Sequence, residues 1–338
     1  MKSKKSLNTK SLNTKNLSIK SMSIALACLL ALPMAACGSD GTQQGSGTAQ
    51  GTESGSADGE AENRGQSEEK RDEPAQKEPK KDEPALDWSA VPTAPEEDFV
   101  FNSASIGPSG NAVKGVEIKK YQGEGGAVKI PDSYRGQPVI LISKNAFKES
   151  NVTDVYFETE GFVYIQPRAF IDCTSLNSVV IKGNEKTEIR DWAFEGCSSL
   201  SSVVLSEEIT NFGIQPFEDT PWLAGKKQED PLVIVNNTVL DGELCTGDVV
   251  IPDGVVRIAP RAFSENENIT SVTLPDSIWR IEPQAFTRCT SLTSINIPDN
   301  TESIGGAEAY IGSEKVVLTY KGKKYTYEKL KELEALFW

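Results

Sequence analysis

IQPRAFIDCTSLNSVVI, from Ile165 to Ile181, recurs along the second half of the chain. The other copies read IRDWAFEGCSSLSSVVL (Ile189 to Leu205), IAPRAFSENENITSVTL (Ile258 to Leu274) and IEPQAFTRCTSLTSINI (Ile281 to Ile297). The aromatic residue of each copy sets the period: Phe147, Phe170, Phe194 and Phe217 stand 23, 24 and 23 residues apart, and Phe263, Phe286 and Tyr310 stand 23 and 24 apart. From Phe217 to Phe263 the gap is 46, two periods. A fixed period in the twenties with LxxLxL-like spacing marks a leucine-rich solenoid, whose units bury their apolar edges only by stacking on one another. The chain therefore reads as a row of coils.

Within one unit, Leu176, Val179 and Ile181 alternate as a short strand does. Stacked coils then give an α/β solenoid with a parallel sheet on one face and a short helical or turn-like Ala-Phe element on the other. The Ile, Ala, Phe and aliphatic positions point inward, and Phe147, Phe170, Phe194, Phe217, Phe263, Phe286 and Tyr310 form an aromatic spine. Outward from the strands point Tyr156, Glu158, Val180, Lys182, Val204, Thr273 and Asn296. They are the candidate binding face, because solenoids recognise partners over extended surfaces. The rhythm breaks between Trp222 and Cys245, which makes that insertion the competing location.

Cys173, Cys197 and Cys289 share one slot, three residues after the Phe, which Asn266 and Ser150 fill elsewhere. Free Cys behaves as a small hydrophobe, so the slot reads as a small buried position. Neighbouring coils at strand spacing bring Cys173 and Cys197 within reach of each other. Whether they pair stays open, since side chains in a ladder run side by side. No CxxC spacing supports a metal site. With no His in 338 residues, the usual general base and the commonest catalytic metal ligand are missing. Asp in IPDG, LPDS and IPDN has a plainer use in turns. The expectation is a binding protein without enzyme activity, metal or cofactor.

Residues 1–36 carry Lys2, Lys4, Lys5, Lys10, Lys15 and Lys20, no acidic residue, and an apolar run from about Ile24 to Ala36. That pattern is a secretory signal. LPMAAC, ending at Cys37, resembles a bacterial lipobox, with Met34 where Leu is more usual. It predicts a lipidated Cys37 and acyl chains that hold the protein to the outer face of a cell membrane, each buried CH₂ adding about 0.8 kcal/mol. Residues 37–97 are Gly, Ser, Gln, Glu, Lys and Pro with few aliphatics, and such a segment reads as a disordered acidic tether. A coil of that length spans roughly 40 to 45 Å. Loss of the signal's six lysines takes the formal charge from −14 to about −20, which gives nucleic acid no basic footprint.

The repeats, the opening VEIKKYQGEGGAVKIPDSYRGQPVILIS, the middle TPWLAGKKQEDPLVIVNNTVLDGELCTGDVVIPDGV and the closing VVLTYKGKKYTYEKLKELEALFW together resemble the BspA-like leucine-rich repeat family. The resemblance implies a solenoid over 98–338, an insertion at about 218–248, and a closing cap at about 314–338 with a short helix. Leu330, Leu333 and Phe337 in that helix would cover the last coil. It also implies an exported bacterial surface protein that adheres to a protein or glycan partner, such as a host matrix protein or another bacterial surface. Two alternatives stand beside adhesion: a structural or assembly lipoprotein of the envelope, and a solute-binding lipoprotein of a transporter. The second wants alternating strand and helix units around a cleft, which the 23-residue period disfavours.

Overall fold

The computed structural model describes residues 86–107, 112–159, 161–184 and 186–337. The chain divides into Met1–Lys77 and Glu78–Trp338, and every described residue belongs to the second unit. The signal segment, Cys37 and the tether as far as residue 85 lie outside the described residues.

Each coil contributes one long strand and one short strand to two separate walls. On the long-strand wall, Gly126–Lys129, Val152–Glu158, Ser178–Lys182 and Ser202–Leu205 pair in parallel. After a break, Gly247–Val250, Ile269–Thr273, Ser294–Ile297 and Val317–Tyr320 continue in parallel. On the other wall, two-residue strands such as Tyr164–Ile165, Glu188–Ile189 and Asn211–Phe212 stack one per coil. Arg257–Ile258, Arg280–Ile281 and Ser303–Ile304 repeat the arrangement beyond the break.

The Ala-Phe segment is a turn with no helix in it, and its backbone explains why. Residues two before and two after the Phe take positive φ: Arg168 and Asp172 about Phe170, Trp192 and Gly196 about Phe194, Gln284 and Arg288 about Phe286. Most carry a Cβ, and the left-handed region costs such a residue roughly 1 to 2 kcal/mol. The alternation turns every second N–H toward the next coil. Arg168, Phe170 and Asp172 donate to the carbonyls of Asp191, Ala193 and Glu195 at 3.0, 2.8 and 2.9 Å. Local helix bonds would consume those donors; here they tie successive coils together along a third wall.

Inside, the aromatic spine forms two stacks. Tyr121, Phe147, Phe170, Phe194 and Phe217 follow at centroid spacings of 5.0, 4.4, 4.9 and 5.3 Å, and Trp222 closes this stack edge-on at 4.8 Å from Phe217. Phe263, Phe286 and Tyr310 form the second, at 5.1 and 5.9 Å. Between them the coil of Val239 has no aromatic ring, and Phe263 lies against Gly242, where a Cβ would fall 2.2 Å from the ring.

The slot after the Phe is a buried donor site, a correction to its reading as a merely small position. Cys173, Cys197 and Cys289 donate their S–H to the carbonyls of Phe147, Phe170 and Phe263 in the preceding coil, at 2.9, 3.1 and 3.0 Å. Ser313 does the same to Phe286 at 2.6 Å, and the Asn266 amide serves Gly242, Glu243 and Cys245 together. The pairing left open resolves against a disulfide: all four described cysteines are free and buried. Burial pushes the Cys289 thiol up to about 12 and Cys245 up to about 11.

At the break, Thr220 occupies the slot and becomes a helix N-cap, accepting from the Leu223 N–H at 3.2 Å. The helix Pro221–Glu229 takes the place of a long strand, with Trp222 and Leu223 buried. A hairpin of Val233–Val235 and Thr238–Asp241 follows, turning at Asn236 and Asn237, both at positive φ. Antiparallel pairs close the two ends: Phe99–Ile106 on Val113–Tyr121, and Val317–Tyr320 on Lys323–Thr326. The helix Leu330–Glu334 buries Leu330 and Leu333, while Phe337 packs 5.1 Å from Tyr320.

Candidate functional site

The residues singled out as a binding face do share the outward side of the long-strand wall, but they fall into two halves with opposite surroundings. In the first half one outward row, Asp154, Ser178 and Ser202, is polar, but the row beside it, Tyr156, Val180 and Val204, is apolar, and the chain itself covers it. Trp88 lies 5.3 Å from Tyr156 and packs with Val180, while Leu86, Val91 and Val204 surround the group. Tyr156 is 7% exposed and Val180 only 1%. These two are therefore not open to solvent as expected, and Val204 is half-buried. The cause is a segment read as tether: from Trp88 onward the chain is folded, joined to the wall by a bridge between Thr93 and Lys129 and by the Ala94 N–H to the Lys129 carbonyl at 2.9 Å. Glu158 and Lys182 stay exposed at the rim, 3.9 Å apart, and the Tyr156 hydroxyl donates to Glu158.

The second half is open and polar. Two outward rows run in register across the strands: Asp248, Ser271, Ser294 and Val317, then Val250, Thr273, Asn296 and Thr319. Thr273 and Asn296 are exposed at the centre, and Val250 is 67% exposed at the margin. Asp248 accepts from Thr270 at 2.8 Å and from Ser271 at 2.6 Å. Those hydroxyls hold its carboxyl below the ordinary value. With Lys323–Thr326 the wall is five strands wide, about 19 Å from first to last at 4.8 Å spacing. An open depression at its edge is lined by Asp276, Asn296, Pro298, Asp299 and Lys321.

The short-strand wall carries a staple that sequence reading missed. Arg257, 7% exposed, donates to Asn211 at 2.7 Å across the break and lies 3.3 Å from Glu282, which Arg280 also meets at 2.8 Å. Trp279 faces both guanidiniums, at 5.1 and 5.9 Å. No spacing rule pairs Asn211 with Arg257, because the inserted hairpin separates their coils in sequence. Nearby, Lys227 of the helix meets Asp241 at 3.0 Å and Glu243 at 2.7 Å. Glu218 has one carboxylate oxygen buried without a hydrogen-bond partner, and burial raises its pKa. Among the described residues no group of three or more Cys, Asp or Glu is placed to hold a metal ion.

A stack of coils with a long, shallow strand wall and its aromatic spine fully buried is a repeat scaffold of the binding kind. The family follows from the repeats themselves: a model of the BspA type leucine rich repeat region matches residues 128–228 and 233–316 in six copies, and the chain belongs to that family. No curated protein matches the chain. Among solved structures, the leucine rich repeat protein of T. pallidum is 19% identical, with 69% of this chain and 83% of that one covered and a TM-score of 0.28. A leucine-rich repeat protein from Bacteroides ovatus is 21% identical, with 66% and 52% covered and a TM-score of 0.30. A leucine rich cell surface protein from Faecalibacterium prausnitzii is 18% identical, with 68% and 95% covered and a TM-score of 0.24.

Proposed function

We propose that this protein is exported, lipidated at Cys37, and held at the bacterial cell surface, where the open half of its long-strand wall binds a protein or glycan partner. The observation that carries the reading is the pair of in-register outward rows centred on Thr273 and Asn296, exposed on two strands that are each paired on both sides. Hydroxyl and amide groups at strand spacing offer many weak, directional contacts over a flat area. That suits a partner surface better than a small solute, which wants a concave and mostly apolar site. The basic start, the apolar run and LPMAAC support the anchor, and the polar stretch after Cys37 supports a spacer.

Binding of the purified chain to immobilised matrix proteins and to envelope fractions tests the reading. Thr273→Tyr with Asn296→Arg should reduce binding at least tenfold and leave the melting temperature nearly unchanged, since exposed substitutions stay within about 0.5 kcal/mol. Undiminished binding by that variant would remove the open wall from consideration. The anchor is tested separately: Cys37→Ser should abolish partition into detergent, and an unchanged detergent-phase fraction would contradict lipidation.

A further inference from the structure

The covered half of the wall is built differently from the open half, and the difference points to a second recognition site. Both halves carry a polar row, Asp154, Ser178 and Ser202 in one and Asp248, Ser271 and Ser294 in the other, but where the second row of the open half has Thr273, Asn296 and Thr319, that of the covered half has Tyr156, Val180 and Val204. Apolar residues pointing outward on successive rungs make sense only with something over them. That something is Trp88, 6% exposed, in an apolar cluster separate from the solenoid core. The two central strands beneath, Val152–Glu158 and Ser178–Lys182, are paired on both sides, so Trp88 meets Tyr156 and Val180 through side chains and not as a further rung.

The cover is lightly held. From Leu86 to Pro95 it forms no helix or strand, and its backbone meets the wall at the Thr93–Lys129 bridge and the Ala94 hydrogen bond. The indole N–H of Trp88 is buried without an acceptor, an unmade bond that weakens its hold. Its charge matches the socket. Lys129 and Lys182 place their ammonium groups 5.4 and 5.5 Å from the Tyr156 ring, and the described cover, from Leu86 to Ala94, carries an acidic residue, Asp87, directly before the Trp.

We propose that Tyr156, Val180 and Val204, flanked by Lys129 and Lys182, form a socket for a Trp presented on a turn that begins at an acidic residue, as Trp88 is on the turn from Asp87 to Ala90. The chain's own Leu86–Ala94 fills the socket in cis, and a partner polypeptide of the same chemistry fills it in trans by displacing that segment. A ligand tethered in the same molecule competes at an effective concentration in the millimolar range for a short link, so the socket is masked until the segment lifts. The inference concerns the covered half alone, and its failure leaves the open wall untouched.

The probe is a fluorescein-labelled peptide of sequence DEPALDWSAVPTA, titrated by anisotropy against full-length protein. The expected result is binding to Trp88→Ala at least tenfold tighter than to the wild type. A peptide with Ala in place of Trp should not bind, and Val180→Glu on the Trp88→Ala background should lose at least tenfold. If Val180→Glu fails to fold by circular dichroism, Lys129→Glu with Lys182→Glu, both at the rim, should weaken binding by a similar factor. Equal affinity for wild type and Trp88→Ala, or no binding to Trp88→Ala, overturns the proposal. Concentration-dependent dimerisation of the wild type that Trp88→Ala abolishes also overturns it, since the occupant would then be a second copy.

Discussion

Phe194→Ala removes the ring at the middle of the first aromatic stack. Phe194 is fully buried, with Phe170 at 4.9 Å on one side and Phe217 at 5.3 Å on the other, the planes within 11° and 5° of parallel. Truncating a buried Phe costs about 3 to 5 kcal/mol in lost transfer energy and cavity. Backbone bonds from Phe194 to Pro216 and from Phe170 to Ala193, both 2.8 Å, hold the flanking coils apart, so the cavity should not collapse and the loss should lie in the upper part of that range. At 2 to 4 °C per kcal/mol for a domain of about this size, a loss of about 4 to 5 kcal/mol should lower the melting temperature by roughly 8 to 20 °C. Phe194→Leu separates ring stacking from burial. It keeps most of the apolar volume and loses two ring contacts of about 0.5 to 1.5 kcal/mol each, so its cost should be about 1 to 3 kcal/mol. Urea unfolding followed by far-ultraviolet circular dichroism gives both values. A loss below about 1 kcal/mol for the Ala variant would refute the stacked spine, and a Leu variant as stable as wild type would deny the ring contacts.

Three further expectations follow from buried polar groups. Cys197→Ser should be nearly neutral, because Ser313 makes the same bond to the preceding coil, whereas Cys197→Val should cost about 1 kcal/mol for the lost donor to Phe170; paired urea titrations decide. Native protein at pH 8 should react with a thiol reagent at Cys289 only as fast as it unfolds, since the thiol is buried and raised to about 12; fast labelling without denaturant would contradict the burial. Glu218 has its folded pKa raised by burial, so the folded state holds its proton more tightly than the unfolded state, and stability falls as pH rises through that range. Glu218→Gln should therefore melt higher than wild type at pH 7, with the gap shrinking as pH drops toward 4. A gap independent of pH, or of opposite sign, would refute the assignment.

Much of the architecture was legible because the forces that make it repeat with the sequence. Phe at 23-residue spacing and the LxxVxI aliphatics name the inward positions directly, and the gap from Phe217 to Phe263 announces the break. Other features were hidden because their sequence carries no conformational signal. Arg168, Trp192 and Arg288 occupy left-handed positions that sequence rules assign to Gly or Asn, and their N–H groups donate to the next coil. The slot read as small and apolar because an S–H and a methyl look alike in a pattern; the carbonyl it serves lies in another coil. Trp88 stands outside the repeats, with no periodicity to declare that it folds back on Tyr156. Burial of half the candidate face therefore could not be read from the repeat, while the orientation of Thr273 and Asn296 could.

Site-specific photo-crosslinking in cells that make the protein tests the central claim most directly. A benzophenone amino acid placed at Thr273 or at Asn296, both exposed on the open wall, should give a discrete partner adduct on irradiation. The same group at Gln284, on the Phe turn away from that wall, should give none. Adducts from Gln284 or from the Pro221–Glu229 helix, with none from Thr273 or Asn296, would contradict the assignment of the open long-strand wall as the binding surface.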